Sequence, residues 1–134
     1  MRVVYDTSVL ATILSRRELV LLLQADVLTG RITLVSSPYI LEELERVLTV
    51  KFGMTKQAAK SRARLLGRVA DVVRPKAIPR VSRDTNDDPI LAAALESDAE
   101  YVVTLDQDLL ILKQYASVRI VTLDEFKEVV ARLD

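Results

Sequence analysis

The chain has 134 residues, no net charge, no cysteine and no histidine, and half of its residues are hydrophobic. Lack of cysteine excludes a disulfide framework, thiolate catalysis and cysteine-ligated zinc or iron–sulfur sites. Lack of histidine removes the usual base near neutral pH and the commonest zinc and copper ligand. Any catalysis therefore falls to carboxylates, hydroxyls, lysine or arginine, or to a metal held by oxygen. The length suits a single domain over residues 1–134. No run approaches the roughly 18 apolar residues of a membrane span, and the opening Met-Arg-Val-Val-Tyr-Asp lacks a signal-peptide layout. A cytoplasmic protein with no membrane partner is expected.

In chain order, Arg2–Tyr5 reads as a short buried strand ending in Asp6-Thr7-Ser8, residues suited to capping a helix. Val9 to Leu28 has helical periodicity with a break near Ser15-Arg16, and Gly30 stops it. Ile32–Val35 is a second strand. Ser37-Pro38 then opens a helix to about Val50, with serine as cap and proline in the first turn. Gly53 breaks the chain, and Thr55 caps a helix from Lys56 to Val69. Asp71–Arg74 is a third strand, followed by a proline-containing loop over 75–86. Asp87 or Asp88 caps a helix through Ile90–Leu95. Tyr101–Leu105 is a fourth strand, then a short helix from about Asp108 to Lys113. Val118–Val121 is a fifth strand, and Leu123–Leu133 a closing helix capped near Thr122. Strands alternating with helices predict an α/β fold, with a parallel sheet covered on both faces.

The zero net charge conceals an asymmetry. Arg46 to Arg83 contains eleven Lys or Arg against one acid, Asp71, whereas Asp84 onward contains twelve acids against four bases. A basic stretch of this kind is either solvated helix surface or an attractor for a phosphate backbone. Lys56, Lys60, Arg62, Arg64 and Arg68 form its helical part. They would track phosphates, solvate the helix, or meet an acidic protein segment.

Ligands of open parallel sheets bind beyond the carboxyl ends of the strands, where strand order reverses. Asp6 directly follows the first strand, and Asp106 the fourth, with Asp108 two residues on. Asp84, Asp87 and Asp88 lead into the helix before that strand. Glu42, Glu43 and Glu45 lie in the helix after the second strand. For each aspartate alone, helix capping is the plainer explanation. Glu42 and Glu45 read as solvated charges. Glu43 borders the apolar stripe Ile40, Leu41, Leu44, Val47 and Leu48, so it requires a partner or a metal. Convergence of several carboxylates is costly without a cation. An oxygen-only cluster suits Mg²⁺ or Mn²⁺.

Four blocks carry a resemblance to the PIN domains. Val3-Val4-Tyr5-Asp6-Thr7-Ser8-Val9 resembles the opening strand and its acid. Ser37-Pro38-Tyr39-Ile40-Leu41-Glu42-Glu43-Leu44 is similar to the helix with the second acid. Asp87-Asp88-Pro89-Ile90-Leu91-Ala92-Ala93-Ala94 matches the third block. Ala99-Glu100-Tyr101-Val102-Val103-Thr104-Leu105-Asp106-Gln107-Asp108 is similar to the fourth. The resemblance implies a three-layer α/β/α sandwich whose central, mostly parallel sheet has four to five strands. It implies Asp6, Glu43, Asp88 and Asp106 as catalytic metal ligands for Mg²⁺ or Mn²⁺, assisted by Asp108 and by Thr7 or Ser8. It further implies cleavage of single-stranded RNA by a homodimer, acting as the toxin of a toxin–antitoxin pair and held by an antitoxin protein. Ser8 stands where asparagine is common in the family.

Other readings fit less well. A haloacid-dehalogenase phosphatase wants a second aspartate at position 8, and a receiver domain wants a lysine after its last strand. A catalytically inactive PIN-like binding module would have lost acids that all four blocks retain. The run Leu19-Val20-Leu21-Leu22-Leu23 is apolar all round its helix, more than one buried face needs, which points part of it at a dimer interface.

Overall fold

Val3, Val4 and Tyr5 form an uninterrupted apolar run that is buried on both sides, as the centre of a parallel sheet requires. In the computed structural model, which describes residues 1–76 and 88–133, this run lies in the central strand. The first half comprises β1 (Arg2–Tyr5), α1 (Thr7–Leu14), α2 (Arg17–Leu28), β2 (Thr33–Ser36), α3 (Pro38–Val50), α4 (Lys56–Val69) and β3 (Asp71–Val72). The second comprises α5 (Asp88–Glu96), β4 (Tyr101–Val103), α6 (Gln107–Leu110), β5 (Gln114–Tyr115), β6 (Val118–Val121) and α7 (Leu123–Ala131). The strand order is β3-β2-β1-β4-β6-β5. Every pairing is parallel except that of β5 with β6.

The order runs outward from β1 in both directions. Right-handed crossovers therefore place the connections before and after the reversal on opposite faces, giving three layers. On one face Phe126 of α7 packs edge-on against Tyr5 and Tyr101, with ring centroids 5.9 and 5.5 Å apart. α5 rests on β1, β2 and β4, and Ala92, Ala93 and Ala94 are buried along it. Three successive small side chains let that helix approach the sheet closely.

Most element bounds agree with the expectation, but β3 and β4 each end two residues early, at Val72 and Val103, so Asp106 stands three residues past β4 as the cap of α6 rather than directly after the strand. α3 and α4 begin and end as the capping residues predict: Ser37 accepts from the Ile40 N–H and Thr55 from the Ala58 N–H. The break near Ser15-Arg16 separates α1 from α2. The sheet has six strands rather than four to five. The addition is the antiparallel β5, paired through Tyr115 with Val118. Its turn has Ala116 at φ 52°, preceded by Lys113 at φ 61°. Tight hairpin turns of this geometry favour Asn and Gly, and neither occurs here to mark it. Most of the 75–86 loop lies outside the described residues.

α2 stands apart from the other long helices, since none of its residues is fully buried. A cleft of about 310 Å³ opens between it and α7, touching Tyr5, Leu22 and Phe126. Another of about 450 Å³ opens towards α4, touching Val27, Leu65 and Val69. No helix among the described residues is long and apolar enough to cross a membrane.

Candidate carboxylate site

The site is built where β1 and β4 end side by side, at the point of strand-order reversal. The Asp6 N–H donates to the Val103 carbonyl at 2.9 Å, which carries the sheet pairing one residue past β1. There the chain turns into α1 with Asp6 as its cap. Asp6 Oδ1 accepts the Thr7 N–H at 2.6 Å. Asp6 Oδ2 accepts the hydroxyl of Thr104 at 2.7 Å. Thr104 Oγ1 in turn accepts the Asp106 N–H at 3.0 Å, and Asp106 Oδ1 accepts the Asp108 N–H at 2.8 Å. A continuous hydrogen-bonded path thus runs from α1 through Asp6, Thr104 and Asp106 into α6. These bonds fix the direction of both carboxylates.

The burial is pronounced for so polar a set: Asp6 is 8% exposed, Asp88 2% and Thr104 fully buried. Asp88 opens α5 at the same end of the sheet, because α5 descends to the start of β4. Beside it, Pro89 lines a cleft of about 300 Å³ with Ser37, Pro38, Tyr39 and Arg74.

Glu43 is held differently. α3 buries Ile40, Leu44, Val47 and Leu48 as the apolar stripe predicts, and Glu43 lies partly exposed at its margin. The partner required there is Arg46, whose guanidinium donates to both carboxylate oxygens at 3.0 and 3.3 Å. The hydrogen bond first, and the charge of Glu43 second, hold Arg46 above the usual arginine pKa.

The fold therefore joins the Asp6 carboxylate, Asp106 and the Asp108 N–H in one path, and brings Asp88 to the same sheet end. Glu43 is engaged by its helix neighbour. Among the described residues no three acids stand close enough together to hold a metal ion. Asp84 and Asp87 lie outside the described residues. Thr7 contributes its main-chain N–H to Asp6, and the Ser8 carbonyl accepts from Thr12. Within the path the hydroxyl comes from Thr104, which the sequence reading missed. A β-branched residue closing an apolar run reads as one more strand position. The available signal was a hydroxyl two residues before the strand-end acid.

Every anionic donor in this set is oxygen, which fits a hard divalent cation and excludes a soft-ligand site. The parallel sheet, the reversal at β1 and acids at the strand ends define an α/β fold of the nuclease-like PIN type. The family model for the PIN domain matches residues 2–108, and the chain belongs to that family. PIN domains are typically nucleases that use divalent metal ions. No curated protein matches the chain in sequence.

Proposed function

We propose that this chain is a Mg²⁺- or Mn²⁺-dependent endoribonuclease that hydrolyses phosphodiester bonds of single-stranded RNA. The observation that carries the reading is the oriented pair of acids, Asp6 and Asp106, joined through buried Thr104 at the sheet's reversal point. Asp6 and Asp106 would present the oriented carboxylates to the cation, with Asp88 drawn in as it binds, Glu43 joining once it leaves Arg46, and Asp108 assisting. When bound, the cation supplies positive charge against the phosphoryl oxygens and activates water for attack. The protein's own part is to fix the direction of the ligand oxygens. Thr104 and the Thr7 N–H lock the Asp6 carboxylate, and the start of α6 locks that of Asp106. The cytoplasmic setting, the homodimer and the role of a toxin controlled by an antitoxin belong to the same proposal, as the sequence resemblance implies.

The Glu43–Arg46 pair favours one competing reading, a PIN-like module that binds without cutting. Cleavage of end-labelled single-stranded RNA in Mn²⁺ or Mg²⁺ separates the two, with excess EDTA and Asp6→Asn as controls. A nuclease gives metal-dependent products that fall roughly 100- to 1000-fold in the variant, the usual loss when one charge-stabilising group is removed. Asparagine still caps α1, so circular dichroism should show an unchanged fold. Binding without products across several RNAs would support the module.

A further inference from the structure

The exposed side of α4 carries Lys56, Lys60, Arg64 and Arg68, one cation at every fourth position. Residues four apart are neighbours on a helix surface, so the four form a single ridge. With about 1.5 Å of rise per residue they extend roughly 18 Å, one charge every ~6 Å. All four are exposed. The opposite side of the helix is the apolar one, with Ala59, Ala63 and Leu66 buried.

Helix stability accounts for Arg68, which lies in the last turn where the dipole favours a cation, but not for the ridge as a whole. Like charges four apart repel, and Lys56 sits in the first turn, where the helix dipole disfavours a cation. Among the described residues no carboxylate pairs with any of the four. The fifth base of the helix shows the contrast. Arg62 points to the other flank, where it donates to the Leu14 carbonyl at 3.1 Å and lines the cleft between α2 and α4, so it stands apart from the ridge.

The ridge also has a direction. A Cβ added to Gly67 would meet Leu41 Cδ1 at 3.3 Å, so the last turn of α4 lies against the first turns of α3. That is the carboxyl end of the sheet, since α3 starts where β2 ends. Beyond α4, Val73 bonds to the Ser36 carbonyl, and Arg74 then enters the cleft with Pro38, Tyr39 and Pro89 beside Asp88. The cations thus climb α4 and continue to the rim of the carboxylate site.

We propose that the Lys56–Lys60–Arg64–Arg68 ridge is a docking track for the phosphate backbone of a nucleic-acid strand, leading it over Arg74 to the acidic end of the sheet. The identity of the polyanion rests on the ribonuclease reading; the track itself does not. Evenly spaced single charges match a repeating backbone better than a folded acidic protein. They carry no base-reading chemistry, so the track holds strands irrespective of sequence.

The test is equilibrium binding of a fluorescently labelled single-stranded oligouridine of about a dozen nucleotides, followed by anisotropy in EDTA so that no cleavage intervenes. Salt is varied between roughly 50 and 200 mM. Each phosphate neutralised on a single strand contributes about 0.7 to the slope of log affinity against log salt. Replacing all four residues with glutamine, which keeps helix propensity, should lower the slope by about 3 and leave the thermal midpoint equal or higher. Arg62→Gln, outside the ridge, should leave the slope in place. A folded quadruple variant with the wild-type slope overturns the track. So does an unchanged RNA slope accompanied by lost binding to polyglutamate, which assigns the ridge to an acidic protein. If wild type never cuts RNA but the slope still falls, the nuclease reading fails and the track stands.

Discussion

The acids at the strand ends and the acid on α3 occupy the same end of the molecule but are positioned by different means. Asp6 directly follows β1 and caps α1, Asp106 caps α6 just beyond β4, and buried Thr104 sets the direction between them. Glu43 has only its own rotamers and a partly exposed ion pair with Arg46. Backbone placement fixes the first pair whether or not a ligand is present. The second is a side-chain arm held by its helix neighbour. In the proposed cation site this would give a preformed half and a half completed on loading.

Removing the hydroxyl between the two fixed acids should break that distinction most severely. Thr104→Val keeps shape and strand propensity but withdraws a donor from Asp6 and an acceptor from the Asp106 N–H. Buried groups left without partners cost about 1–3 kcal/mol, so the melting temperature should fall. Loss of a group that orients ligands lowers metal affinity or activity by about 10- to 100-fold. Thr104→Ser should recover most of both. A valine variant that cuts RNA like wild type would show that the fixed half needs no fixing.

A smaller effect sharpens the other half. Arg46→Gln releases Glu43 without changing helix propensity. If Glu43 joins the cation, Mn²⁺ binding measured calorimetrically should tighten, by no more than about fivefold for an exposed pair. Adding Glu43→Gln to that variant should then cancel the gain. Tightening that persists in the double variant would remove Glu43 from the site.

The same contrast governs what was legible in the sequence. Asp6, Asp106 and the capped helices follow from local signals: a strand end, a serine or threonine cap, a proline in the first turn. Asp88 is buried at the start of α5, which local sequence does not report. Thr104 was hidden because its importance depends on Asp6, 98 positions away in sequence, and no local pattern reports a long-range bond. Glu43 lies at the core margin as its place beside the apolar stripe predicts, and of the two alternatives, a partner or a metal, the structure shows a partner. Which partner it takes is settled by side-chain reach, and Arg46 three residues on is within it. β5 escaped notice because Lys113 and Ala116 adopt left-handed backbone without glycine. The run of leucines in α2 was seen, while its two flanking clefts are a product of packing alone.

The finest contrast lies between adjacent residues of β1. Asp6 turns to the carboxylate path, whereas Tyr5 points to the opposite layer beneath Phe126. Burial chiefly, and then the negative charge of Asp26, raise the Tyr5 phenol well above its usual pKa. The folded protein therefore keeps a proton that the unfolded chain releases near pH 10. Stability from this source is complete below about pH 10 and declines as pH rises towards the folded value, by at most about 1.4 kcal/mol per pH unit. Tyr5→Phe cannot titrate and keeps the ring packing. Its melting temperature should fall less steeply than that of wild type between roughly pH 9 and 11, with titration of the other tyrosines and lysines common to both. RNA cleavage near neutral pH should be the same in the two proteins, since Tyr5 faces away from the site. Parallel alkaline slopes would mean that water reaches the phenol, and that the layer under α7 is looser than its ring geometry indicates.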